Sequence, residues 1–194
     1  MTKVLILGAN GGLARNTTRF FLERAEVELT LYLRRASQLP NPAPDRVRIV
    51  EGDVLDASAL RDAMTGQEVV YANLSGNMAA QARATVDAMH DTGLRRLIFI
   101  SSMGIYGEVP GERYRSILDP YRDSAALIEA SDLDWTILRP GWFVRGGPAS
   151  CSLTRKGEPF VGHDVSIDAL SKLIVDLAMR KGLHVGENLG VSTS

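Results

Sequence analysis

Two hydrophobic patterns alternate along the chain. Short, continuously apolar runs fall at 4–7, 29–33, 47–50, 69–72, 97–100 and 136–138, and these predict strands. Between them, apolar residues recur at helical spacing over 13–24, 57–64, 79–92 and 121–131. A fifth stripe over 167–179 carries Ile167, Leu170, Ile174, Leu177 and Ala178. Strand–helix alternation predicts the α/β class: a doubly wound parallel sheet with helices on both faces. Runs that are apolar throughout suit strands covered on both sides, joined by right-handed crossovers. The stretch 40–45 contains Pro40, Pro42 and Pro44, which forbid regular helix and strand, but it is too short to act as a linker between domains. One domain over 1–194 is therefore expected. Its ligand loops should follow the carboxyl ends of the strands, with small substrate-side loops at 75–80, 103–120 and 141–165.

The first strand runs into Gly8-Ala9-Asn10-Gly11-Gly12-Leu13-Ala14. A glycine leaving a strand permits a tight turn, and a second lets a pyrophosphate reach the backbone. The helix that follows presents unpaired N–H groups to the phosphates. The spacing is G-x-x-G-G-x-A, with Ala14 where a third glycine is common. A plain turn has the same composition, but a strand before and an amphipathic helix after are the context of a dinucleotide motif. The second strand ends in Arg34-Arg35, about twenty residues beyond the glycines, where an NAD site would carry an acid for the ribose hydroxyl. Arginine there suits the 2′-phosphate of NADP, with Arg34 nearer the strand end and Arg35 placed to stack or assist. The other reading is a pair of solvated arginines. After the third strand, Asp53 either accepts from an adenine amino group, with Val54 over the ring, or caps the helix beginning near Asp56.

Composition narrows the class. The chain has 194 residues, a net charge of -1, 45% hydrophobic and 23% charged residues, which excludes general disorder and gives no basic surplus for nucleic acid. Apolar runs such as 4–7 and 97–100 are four residues long, too short to span a membrane. The opening residues lack the apolar region of a signal peptide. A single cysteine, Cys151, leaves no internal disulfide and no cysteine-based metal site, so a reducing cytoplasm is expected. His90, His163 and His184 are too dispersed to predict a metal. His90 lies near a helix end, where positive charge is favourable. Asp164 and Asp168 are expected to cap the last helix.

Taken together, the residues 8–14, Arg34, Gly52-Asp53-Val54, Ser101-Ser102 and Asp134-Trp135-Thr136-Ile137-Leu138-Arg139-Pro140 resemble the atypical short-chain dehydrogenase/reductase family of NAD(P)H-binding, NmrA-like proteins. The resemblance covers nearly the whole chain. The segment 52–55 and the late helix are also similar to the flavin reductase/biliverdin reductase B group. This resemblance implies a Rossmann fold that binds NAD(P). Position by position, it implies that Gly8, Asn10, Gly11, Gly12 and Leu13 hold the pyrophosphate and Arg34 the 2′-phosphate. Asp53 and Val54 would frame the adenine, and Asn73, Leu74 and Ser75 would line the ribose and adenine path. Ser101, Ser102 and Met103 would sit by the nicotinamide ribose, and Pro140, Gly141, Trp142 and Phe143 would cover the nicotinamide. For Phe143 a place in the core is an equal reading.

Typical members use a tyrosine and a lysine four residues later, the lysine lowering the tyrosine pKa. Here Tyr106, Tyr114 and Tyr121 are followed at that distance by Pro110, Leu118 and Ala125. The chain has 18 Arg but four Lys, with none between Lys3 and Lys156. A tyrosine without a cationic neighbour is a poor acid–base catalyst, and Arg122 cannot relay a proton. A flavin, quinone or tetrapyrrole acceptor takes its proton from solvent, leaving the protein to supply proximity and electrostatics. The expectation is an NADPH-dependent reductase of a planar conjugated small-molecule acceptor. In it Ser102 is the polar contact at the transfer site, and Tyr106 is a stacking wall or weak donor. Both also have structural readings, Ser102 satisfying a backbone group and Tyr106 packing a loop. The alternatives are a non-enzymatic NADP sensor with a protein partner, and an isomerase or epimerase retaining nicotinamide. Either a monomer or a homodimer fits.

Overall fold

The computed structural model describes residues 1–193. Six strands form where apolar runs lie: β1 (Thr2–Leu7), β2 (Val27–Leu33), β3 (Val47–Glu51), β4 (Val69–Ala72), β5 (Arg96–Ile100) and β6 (Asp134–Pro140). Four more follow: β7 (Trp142–Val144), β8 (Ser152–Arg155), β9 (Asp164–Ser166) and β10 (Glu187–Ser192). The helices are α1 (Gly12–Leu22), α2 (Ala57–Met64), α3 (Met78–Thr92), α4 (Asp119–Glu129) and α5 (Ile167–Met179). The main sheet has the order β3-β2-β1-β4-β5-β6-β10-β8. All its pairings are parallel except β10 with β8. The fold is thus the expected Rossmann-type single domain, with one antiparallel edge strand added.

Each face of the sheet has its own core. Val4, Ile6, Leu29, Leu31, Ile98 and Leu138 pack under α1 and α5. Leu5, Leu7, Val70, Leu97, Phe99 and Ile137 pack under α2, α3 and α4. Successive residues of one strand serve opposite faces, which is why these strands are apolar at every position.

The late helix is capped differently from expectation. Ser166 stands in extended conformation directly before α5, and its side chain accepts from the Ala169 N–H. Asp164 belongs to β9 and accepts from His163. Asp168 lies within the first turn and accepts from the Asn16 amide at 2.9 Å. Its charge still complements the helix dipole. His90, in the last turn of α3, pairs with Asp132 at 2.7 Å. At the opposite end of the sheet from the ligand loops, Arg96 donates to the carbonyls of Leu177, Leu183 and Asp134 and to the Thr136 hydroxyl. Burial pulls its pKa down to about 10, with the Asp134 charge opposing.

Candidate dinucleotide and acceptor sites

The turn between β1 and α1 is built around Gly8. Its N–H and that of Ala9 donate to the Tyr32 carbonyl, and its own carbonyl accepts from Gly11. Gly8 has φ +74°, and a Cβ there would lie 2.2 Å from the Asn73 carbonyl oxygen. Only glycine meets both demands. Helix α1 then starts after Gly11 with no side-chain cap. Its first N–H groups therefore face outward, together with the positive end of the dipole.

Beside this turn lies a cleft of about 560 Å³. It gathers Gly8, Asn10, Gly11, Arg34, Arg35, Asp53, Val54, Asn73, Leu74 and Ser75, residues from four separate strand ends. Asp53 does not cap α2. That cap is Asp56, which accepts from Ser58 and Ala59, while one Asp53 oxygen accepts from Leu55. Tyr32 supports this wall by donating to the Asp53 carbonyl at 2.9 Å. Burial, then the charges of Asp56 and Asp53, push the Tyr32 pKa up to about 12, so the phenol stays protonated as a donor.

Three features fit this cleft to a phosphorylated dinucleotide. The uncapped start of α1 is one. The side chains of Arg34 and Arg35 are exposed on the cleft and form no ion pair among the described residues. Asn10 Oδ1 and Gln81 Oε1 are buried atoms without a hydrogen-bond partner, on residues that line the cleft. Unpartnered buried acceptors carry a desolvation cost that a ligand donor removes. Gln81 was not legible in the sequence, because a glutamine in an amphipathic helix carries no motif. Gln38, Tyr32 and Gly52 join the wall through the fold alone.

Two of the expected pyrophosphate residues are placed differently. The Leu13 side chain is buried in the core beneath α1, so only its backbone faces the ligand side. Gly12 lies on the other flank of the turn, in a groove with Arg15 and Arg145. Neither arginine was anticipated.

A second pocket, about 240 Å³, opens beyond the ends of β5 and β6. Ser102, Met103, Pro140, Gly141 and Trp142 line it, with Val109, Arg113, Arg115 and Ile117. The Ser102 hydroxyl donates to the Met103 carbonyl at 3.1 Å. Ser101 is buried, and its Oγ has no partner. Trp142 and Phe143 stand on the β7–β9 ribbon and are 53% and 50% exposed, so Phe143 is not a core residue.

Tyr106 departs from expectation. Its hydroxyl accepts from Asn188 at 2.9 Å, in a polar cluster that also holds Glu129 and Arg139. Lys156, remote in sequence, places its ammonium 4.7 Å from the Tyr106 ring centre. The tyrosine thus has a cationic neighbour after all, supplied by the turn after β8. Its pKa is nevertheless raised, first by burial and then by the Glu129 charge, against the lowering by Lys156. The hydroxyl is hydrogen-bonded within this cluster, and Tyr106 is not among the residues that line the pocket beyond β5 and β6.

Among the described residues no group of three His, Cys, Asp or Glu is placed to hold a metal, and no helix is long and apolar enough to cross a membrane. The fold has close counterparts among solved structures. A Rossmann-fold NAD(P)-binding family protein from Shigella flexneri is 39% identical, with a TM-score of 0.88, over 100% of this chain and 94% of that one. A wide-type short-chain dehydrogenase/reductase from Veillonella parvula, solved in complex with NADP, is 28% identical, with a TM-score of 0.87, over 98% and 94% of the two chains. At 21% identity, the anaerobillin reductase ChuY from Escherichia coli O157:H7 shares the fold, with a TM-score of 0.84 over 99% and 97%. A family model described as NAD(P)H-binding matches residues 8–181. With the glycine turn and the uncapped helix in place and the family model spanning residues 8–181, the chain belongs to the NAD(P)H-binding family.

Proposed function

We propose that this protein is an NADPH-dependent reductase of a planar conjugated acceptor, such as a flavin or a quinone. One observation carries the reading. The pocket beyond β5 and β6 is walled by Met103, Val109, Ile117 and Trp142, while the tyrosine that meets a lysine has its hydroxyl turned to Asn188. Such a pocket suits a flat apolar ring system and an acceptor that draws its proton from solvent. NADPH rather than NADH is favoured by the free guanidinium groups of Arg34 and Arg35. The relative from Veillonella parvula, solved with NADP, supports the same choice.

When bound, NADPH supplies a hydride from its nicotinamide ring. The chain's own residues bind and orient. Arg34 and Arg35 hold the 2′-phosphate, and the first turn of α1 holds the pyrophosphate. Asp53 and Val54 frame the adenine, and Asn73, Leu74 and Ser75 line the ribose path. Ser101 and Ser102 fix the nicotinamide ribose, and Pro140, Gly141 and Trp142 shield the ring face from water. The single half-buried thiol and the acceptor chemistry suit a cytoplasmic reductase.

The test is NADPH oxidation by the purified protein with FMN or menadione, followed by loss of nicotinamide absorbance. Turnover above background, greater with NADPH than with NADH, is expected. Tight NADPH binding with no turnover of either acceptor would overturn the reductase reading. It would favour a sensor that signals through a protein partner, a reading that the raised Tyr106 pKa also suits.

A further inference from the structure

Arg139 is fully buried at the end of β6, and no role in binding or chemistry uses it so far. Its guanidinium donates to Asn188 Oδ1 at 2.8 Å, to the Thr154 carbonyl at 3.4 Å and to Glu108 Oε1. Glu108, also buried, does more than neutralise it. Oε1 accepts from the Gly104 N–H at 3.1 Å, and Oε2 accepts from the Tyr106 N–H at 2.9 Å. The Glu108 carbonyl accepts from Phe160 at 2.8 Å. One carboxylate therefore folds the loop 104–108 around itself and ties it to β6.

The consequence lies one residue away on each side. Gly104, Gly107 and Val109 belong to the loop that walls the acceptor pocket, and Pro140 and Gly141, directly after Arg139, belong to the facing wall. The two walls also meet where the Met103 N–H donates to the Pro140 carbonyl at 3.1 Å. By contrast, the cleft around Gly8, Arg34, Asp53 and Asn73 rests on other strands. We infer that the buried Glu108–Arg139 pair is a positioning device for the acceptor: it sets the separation of the two pocket walls and leaves the adenine and pyrophosphate cleft, which supplies most of the contacts proposed for the dinucleotide, untouched. The inference rests on the reductase reading for the identity of the pocket's ligand.

A buried ion pair is a poor source of net stability, because desolvation offsets the attraction, yet removing one partner leaves a costly lone charge. This separates positioning from mere stability. Glu108→Gln leaves Arg139 unpaired and should lower the melting temperature. Glu108→Gln combined with Arg139→Met removes both charges and should recover most of that loss. Neither restores the two N–H contacts of the native carboxylate.

The experiment compares wild type, Glu108→Gln and the double variant in three measurements: NADPH affinity, KM and kcat for menadione, and amide hydrogen exchange at Gly104 and Tyr106. The expected result is NADPH affinity within about twofold throughout, and KM for the acceptor raised about tenfold in both variants, with kcat changed far less. The two amides should exchange about tenfold faster, even where the double variant has regained its melting temperature. A double variant with wild-type KM and wild-type exchange overturns the inference, as does an equal loss of NADPH and acceptor binding. If the wild-type protein turns over no acceptor, the reductase reading fails by itself. The positioning role is then decided by the exchange rates and by FMN binding to the NADP-loaded protein, and unchanged values in the variants overturn it.

Discussion

Lys156 and Tyr106 meet in space, the ammonium 4.7 Å from the ring centre, although the chain between them holds no other lysine. Burial and the carboxylate of Glu129 outweigh the cation and raise the phenol pKa. Tyr106→Phe should therefore leave the rate of NADPH oxidation and its pH profile unchanged. It should lower stability by about 1 kcal/mol through loss of the Asn188 contact. Steady-state kinetics and denaturant titration check both, and a large fall in kcat at unchanged KM would restore the tyrosine to the mechanism.

On the proposed reading, Arg34 carries the preference for NADPH over NADH. Arg34→Ala should weaken NADPH binding by about 1.5–3 kcal/mol, the scale of a charge-assisted contact, while NADH binding hardly changes. Calorimetric titration with both cofactors decides it. Equal losses would remove Arg34 from the phosphate.

The two ends of the glycine turn should respond in opposite ways. Gly8→Ala faces both a positive φ and the Asn73 carbonyl, and should cost at least about 2 kcal/mol of folding stability. Gly12→Ala adds a methyl in open space at the start of a helix, keeps its N–H, and should fold at least as well with dinucleotide affinity preserved. Thermal melts with and without NADPH distinguish the two.

Cys151 provides a pH test. Burial raises its thiol pKa from 9.0 to about 11. The folded state thus holds its proton more tightly than the unfolded chain does. The stability this contributes is present below about pH 9 and declines as pH rises toward the folded value. Alkylation of the native protein should be slow at neutral pH and rise with a midpoint near 11. A midpoint below 9 would show that the thiol is not buried in solution.

Arg96→Met should destabilise by about 3 kcal/mol, because the carbonyls of Leu177, Leu183 and Asp134 lose their donor inside the fold. NADPH affinity of the folded fraction should not change, since Arg96 lies at the far end of the sheet. Chemical denaturation and ligand titration read the two effects separately.

The sequence revealed whatever rests on a local pattern. Apolar runs marked β1 to β6, helical stripes marked all five helices, and Gly8 and Arg34 declared the cleft by kind and spacing. The strand β10 escaped because Glu187, Asn188 and Gly190 have weak strand preference, and its burial comes from β6 and β8 on either side. The ribbon of β7 and β9 escaped because three-residue strands leave no period. Within the site, Gln81, Arg145 and the Glu108–Arg139 pair are products of long-range packing. No lysine lies near Tyr106 along the chain, and the turn after β8 brings one to it through the fold. Asp164 and Asp168 drew attention as acids before a helix, while the cap went to Ser166, the residue with the required extended backbone.

The β7–β9 ribbon is a sheet of its own, tied to the main one through Asp164, Ser166 and the buried Val165, while Trp142 and Phe143 face outward. It carries Trp142 to the rim of the acceptor pocket and is fastened by the Trp142 N–H to the His163 carbonyl. A mouth mounted on its own small bracket can be refitted without reopening the nucleotide scaffold. Exchanging side chains at 142 and 143 is thus the natural route to retune which molecules this protein admits, and libraries confined to those two positions should keep the scaffold's melting behaviour while their ligand spectra diverge.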